Sequence, residues 1–250
     1  MRALILSDIH ANLEALEAVL AAAPEHDAVW NLGDVVGYGA NPNEVIEKVR
    51  SLNHLVVRGN HDRACCDPPS LEFFSPAAAS AVRWTQHVLT PENLAWLQHL
   101  APGPVSPEGS QSVCVHGSPH DEDEYLFTLE DAWESFHAVS ASIIFFGHTH
   151  RQEAFATNQE EQFHLKPQYS FADEPDQCEL SLRKGARYLF NPGSVGQPRD
   201  GDRRAAFALY DDSSELLTWF RVPYELEKAQ EKILRAGLPD YLAERLAFGR

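Results

Sequence analysis

The stretch Ala3-Leu4-Ile5-Leu6-Ser7-Asp8-Ile9-His10 opens with four apolar residues that do not alternate with polar ones. That is the pattern of a strand buried on both faces. Two side chains able to bind metal, Asp8 and His10, follow it at once. Leu13, Leu16, Val19 and Leu20 then recur at helical spacing, and residues 28–32 repeat the short apolar run. Val45, Ile46 and Val49 mark a second helix before another strand at 55–57. This β-α-β-α-β order predicts an α/β fold built on parallel strands.

Farther along, residues 63–100 change character. Pro68-Pro69 breaks the chain, and 76–100 reads as helical, with Trp84, Val88, Leu94 and Leu97 on its apolar face. Residues 101–109 are rich in proline and glycine and predict a surface connection. Two more apolar runs, 112–115 and 143–146, each end at a histidine-containing turn. The polar stretch 158–184 reads as an exposed hairpin or insertion. Residues 188–190, 205–210 and 216–222 predict strands of an antiparallel-rich second half, and 226–248 predicts one or two amphipathic helices. No internal repeat or low-complexity tract is present. With 250 residues and 44% hydrophobic content, the chain is read as a single domain with a sizeable core.

Asp and Glu outnumber Lys and Arg by 37 to 20, for a formal charge of −17. So acidic a surface repels duplex nucleic acid and anionic membrane. An anionic substrate would then need local positive charge, which bound metal ions supply. The apolar run after Met1-Arg2 is too short for a secretion signal. No stretch approaches the roughly 18 apolar residues of a membrane span. Cys65, Cys66, Cys114 and Cys178 lack a zinc-type C-x-x-C pairing. We read them as reduced thiols, with Cys114 a buried small hydrophobe. The expected location is the cytoplasm.

Five apolar runs each terminate in a polar turn: Ser7-Asp8-Ile9-His10, Gly33-Asp34, Gly59-Asn60-His61-Asp62, His116-Gly117 and Gly147-His148-Thr149-His150. Ligand sites of α/β sheets gather at the carboxyl ends of strands, so the turns are expected to converge. They offer oxygen and imidazole donors without thiolate, a set suited to Mn, Fe, Zn or Ni. Residues i and i+2 of an extended chain point to one side. On that ground Asp8 with His10, and His148 with His150, each aim two side chains at one centre. Gly33, Gly59, Gly117 and Gly147 are expected to allow unusual dihedrals or close approach beside the ligands.

Taken together in this order, the five motifs resemble the signature of calcineurin-like metallophosphoesterases, over residues 1 to about 210. Asn191-Pro192-Gly193-Ser194-Val195-Gly196 with Pro198-Arg199 is similar to the bacterial YfcE-like branch. The resemblance implies a four-layer αββα sandwich with a dinuclear metal site at the strand ends. It assigns Asp8, His10 and His150 to one divalent ion and Asn60, His116 and His148 to the other, with Asp34 bridging. Manganese is the expected metal, with Fe, Ni, Zn or Co as alternatives. It further implies in-line attack on phosphorus by a metal-bridging hydroxide, from two ions ~3.5–4 Å apart.

His61 is not needed as a ligand, and its place in the motif suits a general acid for the leaving alkoxide. Asp62 either orients His61 or makes a structural contact. Serine/threonine phosphatase relatives carry a GDxxDR pattern. Here Gly37 and Tyr38 stand at its second Asp and Arg, which argues against a protein phosphatase. Three residues are candidates for gripping substrate. Asn12 is a hydrogen-bond donor near a helix start or a helix cap. Arg199 reaches substrate or pairs with Asp200. His120 lines the pocket mouth. His26, His54, His87, His99, His137 and His164 lack motif context and are read as surface or packing residues.

The expected function is hydrolysis of a small organic phosphate, a phosphodiester that is nucleotide-like in kind. Hydrolysis of a dinucleoside polyphosphate is the alternative. A third reading, of another class, is a non-catalytic protein-interaction scaffold. Such scaffolds lack the histidine of the GNH motif, which this chain keeps as His61. The 158–184 stretch and the C-terminal helices could carry self-association.

Overall fold

Strand β1 (Arg2–Leu6) is the hinge of the architecture, because it pairs in opposite senses on its two edges. It runs parallel to β2 (Ala28–Asn31) and antiparallel to β10 (Ala205–Asp211). The computed structural model describes residues 1–250 apart from 53–54, 68–70, 72–73 and 159–160. Around β1 the first sheet has the order β3-β2-β1-β10-β11-β8, with β3 at Leu55–Val56, β11 at Leu216–Val222 and β8 at Asp176–Ser181. A second sheet has the order β4-β5-β9-β6-β7, from β4 (Ser112–Cys114), β5 (Ile143–Phe145), β9 (Arg187–Pro192), β6 (Gln152–Thr157) and β7 (Gln162–Leu165). Strands β1–β3 are parallel, as are β4, β5 and β9.

Both faces of each sheet are covered, which explains the unalternating sequence of β1. Ala3 and Ile5 turn inward to a core shared by the two sheets, with Trp30, Phe145, Phe190 and Trp219. Trp30 meets Phe145 edge to face with centroids 5.6 Å apart, a favoured aromatic geometry. Leu4 and Leu6 turn outward against Leu16 and Val19 of α1 (Leu13–Ala22) and Val45, Ile46 and Val49 of α2 (Pro42–Ser51). On the far side, Ile144, Phe146, Phe155 and Leu189 pack against Ala132 and Phe136 of α6 (Leu129–Ala138). The result is the expected four-layer αββα sandwich.

Two expectations need correction. The helical stretch 76–100 is two helices, α4 (Pro76–Val88) and α5 (Pro91–Gln98). Thr90 caps the second through a bond from Asn93 N, and Pro91 cannot extend the first because it has no N–H. The polar stretch 158–184 is not one hairpin. Its strands join opposite sheets, β7 against β6 and β8 against β11. Strand β8 alternates, with Cys178 opposite Trp219 and Leu180 opposite Leu217, so every second residue is half-buried while the rest face solvent. His54 and Pro68-Pro69 lie outside the described residues. All four cysteines are free.

Helix α3 (Asn60–Cys66) follows β3. The C-terminal helices α7 (Leu226–Arg235) and α8 (Asp240–Glu244), with a final 3-10 turn Arg245–Phe248, pack through Leu226, Ile233, Leu242 and Leu246 against Ala78 and Ala81 of α4 and against Tyr38. That contact brings the last turn of the chain to the rim where β1 and β2 end. Among the described residues no helix is long and apolar enough to cross a membrane.

Phe145 is fully buried between the sheets. Replacing it with Ala is expected to destabilise the fold by ~3–5 kcal/mol, read as a fall in the urea midpoint at unchanged denaturant slope.

Candidate metal centre

All five polar turns meet at one rim. Asp8, His10, Asp34 and His150 place one donor atom each within 4.8 Å of one another, and Asp34, His116 and His148 do the same. Asp34 is common to both groups. The Asn60 side-chain oxygen lies 3.1 Å from His116 Nε2 and so joins the second. The seven side chains are buried, and they are the seven that the motifs single out.

Their donor atoms converge on one another. Asp8 Oδ1 and Asp34 Oδ2 are buried and make no hydrogen bond. His10 Nε2 stands 3.1 Å from His150 Nε2. Asp34 Oδ2 stands 3.5 Å from His10 Nε2 and 3.4 Å from His116 Nε2. Leaving buried carboxylate oxygens unsatisfied is costly. Two cations, one in each group and sharing Asp34, would satisfy all of them at once. The residues therefore fit a dinuclear centre.

The opposite edge of each imidazole is anchored to main chain. His10 Nδ1 donates to Val36 O at 3.0 Å, His116 Nδ1 to Leu32 O at 2.8 Å and His150 Nδ1 to Gln197 O at 2.6 Å. A ring nitrogen against a carbonyl must carry the proton, so Nε2 of these three is left as the ligand atom. His148 is reversed. Its Nε2 donates to Asp123 O at 3.1 Å, which leaves Nδ1. Asp8 Oδ2 accepts from Ser7 Oγ and His148 N, and Asp34 Oδ1 accepts from His61 N.

Paired ligands do not converge for the expected reason. Asp8, His10, Asp34, His148 and His150 all have φ between 49° and 62°, so the turns are not extended. Each lies in the left-handed region, with Ala11 following His10 there at 52°, a conformation that costs of order 1–3 kcal/mol per residue and persists only where the surroundings enforce it. Asp8 N donates to Gly33 O, His10 N to Asp34 O, and Gly196 N together with Ser194 Oγ bonds Asp8 O. Of the four glycines, only Gly33 has a positive φ, 99°. Gly59 and Gly147 serve close approach. A Cβ would fall 2.2 Å from Asp34 Oδ1 at the first and 2.0 Å from Ser7 Oγ at the second.

Electrostatics in the protein without metal follow from this crowding. Burial works against the ionised carboxyls of Asp8 and Asp34, but facing histidines overcome it and hold both below the usual range. Burial likewise opposes charge on His116, yet Asp34 and Asp8 raise it to about 10. Burial pushes His148 down to about 3. The free centre thus keeps a proton on His116, one that a metal must displace.

His61 stands beside the ligands and outside both groups. Its ring packs on Tyr38, Phe74 and His10 with centroids 4.4, 4.8 and 4.9 Å away. A Cβ at Gly37 would come within 2.4 Å of its Nδ1. That nitrogen is buried without a partner, so Nε2 is the atom that reaches the cleft. Burial lowers the ring to about 4, against the pull of Asp34. Asp62 does not hydrogen-bond the His61 ring. Its two oxygens accept from Val36 N at 3.1 Å and Gly59 N at 3.0 Å, tying the turn after β2 to the start of α3. Burial and Asp34 hold its carboxyl up at about 7.

The cleft over the centre is about 460 Å³, lined by Asn60, His61, His148, Arg199 and, among others, four residues that the motif reading did not single out: Arg63, Phe74, Tyr125 and Arg245. Arg199 bonds Tyr38 Oη and Gln197 Oε1. It does not pair with Asp200, which pairs instead with Arg221. Asn12 caps α1, accepting from Ala15 N and donating to Gly196 O, and is not in the cleft lining. His120 is exposed and likewise outside it. Arg63 follows the GNHD motif directly, a signal that could have flagged it. Tyr125 and Arg245 carry none, because only tertiary packing delivers them.

A family model described as the calcineurin-like phosphoesterase superfamily domain matches residues 1–215. An uncharacterized protein of Methanocaldococcus jannaschii is 38% identical over 98% of this chain and 97% of its own length. A solved metallophosphoesterase from Sphaerobacter thermophilus is 40% identical with a TM-score of 0.85, covering 100% of this chain and 99% of that one. A symmetrical bis(5'-nucleosyl)-tetraphosphatase of Yersinia enterocolitica is 40% identical over 67 residues, 25% of this chain and 23% of its own length.

Because Asp34 serves both groups, Asp34→Ala is expected to abolish binding of both metals, while Asn60→Ala weakens only one, as read by elemental analysis after dialysis. Metal uptake by the metal-free protein near neutral pH should release the His116 proton, so affinity rises with pH below about 10. Calorimetry in buffers of different ionisation enthalpy reads that proton directly, and uptake without proton release would contradict this ordering.

Proposed function

The chain belongs to the calcineurin-like phosphoesterase superfamily, and from that premise we propose that it hydrolyses a small organic phosphate of phosphodiester type. The observation that carries this reading is the pair of buried donor groups sharing Asp34, with His61 beside them and a cleft that reaches Asn60, His61 and His148. Manganese is our choice among divalent metals for a nitrogen and oxygen donor set without thiolate. When bound, such ions bring Lewis-acid polarisation of a phosphoryl oxygen and activation of water.

The chain's own groups divide the remaining work. Main-chain carbonyls fix the ligand imidazoles in one tautomer, so the centre is organised before substrate arrives. His61 presents Nε2 to the cleft and holds the proton given to the leaving oxygen. In the free protein its burial keeps that proton off, and the negative charge of a phosphate drawn in beside it restores the protonated form. Asp62 acts on the scaffold rather than the proton, by joining the two turns that carry Asp34 and His61. Arg199 offers cationic donors to an anionic group of the substrate from the cleft wall.

A nucleotide-like substrate is supported by aromatic faces in the same cleft, Tyr38, Phe74 and Tyr125, and by the local likeness to symmetrical bis(5'-nucleosyl)-tetraphosphatases. Four free thiols fit a reducing compartment, which supports the cytoplasm as its location.

Manganese-loaded protein is expected to hydrolyse bis(p-nitrophenyl) phosphate, and no turnover with Mn, Fe, Co, Ni or Zn would sink the enzymatic reading. His61→Ala should keep its metal and lose roughly 10²–10⁴-fold in kcat on an alkyl ester. The loss should be smaller for p-nitrophenolate, which departs without a proton. An equal loss on both leaving groups would remove His61 as the acid.

A further inference from the structure

Two guanidiniums in the cleft have no acidic side chain beside them. In a chain with 37 acidic residues, Arg199 and Arg245 form no ion pair with any Asp or Glu side chain among the described residues. Their neighbour Arg63 is neutralised by Glu122 and Asp123. Arg204 and Arg221, both more buried, are paired with Asp202 and Asp200. Nε of Arg199 is buried without a partner, and the rest of its guanidinium meets the side chains of Tyr38, Gln197 and Tyr125. Arg245 donates through Nε to the main-chain oxygen of Arg250, which leaves its other two nitrogens unassigned.

The two cations share one aromatic ring. Both lie over the ring of Tyr38, at 5.7 and 6.0 Å from its centroid. Burial and the charge of Arg199 lower the pKa of Arg245, as expected of like charges in close company. Tyr38 also touches the rings of His10 and His61, so the pair stands directly across from the centre. Unbalanced cations side by side in a partly buried site are costly unless an anion joins them. At about 460 Å³, the cleft is of a size that takes ligands much larger than one phosphate.

We propose that Arg199 and Arg245 form a subsite for a second phosphate group of the same substrate, one linked to the phosphorus under attack. This rests on the phosphoesterase reading and narrows it to substrates that carry a diphosphate or longer chain. Arg199 comes from the loop after β9. Arg245 comes from the C-terminal turn, beyond the residues 1–215 that match the family model. A planar guanidinium binds phosphate through two parallel donors, and losing a hydrogen bond to a charged group costs roughly 10- to 100-fold in affinity.

The test is calorimetric titration of the full chain with orthophosphate and with imidodiphosphate, each in a fixed excess of Mn²⁺. Binding rather than turnover is read, so a failure of the hydrolytic reading would show separately in the ester assay. The wild type is expected to bind imidodiphosphate at least about tenfold more tightly than orthophosphate. Arg245→Met keeps the stem over Tyr38 but removes the charge, and should erase most of that preference. Arg245→Lys should retain more of it than Met does. Arg245→Gln replaces Met in the comparison if Met does not fold, as judged by circular dichroism. A wild type without preference, or a neutral variant that keeps it in full, would overturn the subsite and leave Arg245 a packing residue.

Discussion

The structure depends on the burial of two carboxylates, Asp8 and Asp34, among four imidazoles at the meeting edge of two sheets. Buried charges must be compensated, and here the compensating imidazoles come from the turns after β1, β4 and β5. Strands β1, β2, β4 and β5 have to stop at one level, and α3 has to start there, for the donors to meet. The left-handed turns at Asp8, His10, Asp34, His148 and His150 are strained, and the sandwich around them supplies the restraint. A large aromatic core between the sheets, with Trp30, Phe145, Phe190 and Trp219, is what makes that restraint stiff.

Much of this was legible in the sequence because it is local. The unalternating run of β1 announced a strand covered on both sides, and Leu4 and Ile5 do face opposite layers. The five polar turns named the seven donors, and the structure gathers those seven. Illegible features were those that depend on which distant segments meet. The split of 158–184 between the two sheets follows from edge pairing with β6 and β11, which no local pattern encodes. Alternation in an extended chain does not account for the convergence of Asp8 with His10 or of His148 with His150, because all four residues have left-handed backbone.

The cleft shows the same division. His61 was visible in its motif, and Asp62 beside it suggested a partner for its ring. In three dimensions Asp62 turns to two main-chain N–H groups instead, and Gly37 closes against Nδ1. A short residue where relatives with GDxxDR carry an acid lets the His61 ring sit against Tyr38. Tyr38 in turn is the surface on which Arg199 and Arg245 rest. One sequence pattern, Gly37-Tyr38, thus links His61 to the cationic wall, and neither residue alone would have indicated it.

The sharing of Asp34 by two metals is the claim on which everything else stands. Diffraction from manganese-soaked crystals, collected on both sides of the manganese absorption edge, tests it most directly. Two anomalous peaks are expected, one among Asp8, His10 and His150 and the other among Asn60, His116 and His148, with Asp34 between them. A single peak, or peaks that leave Asp34 outside their coordination, would contradict it.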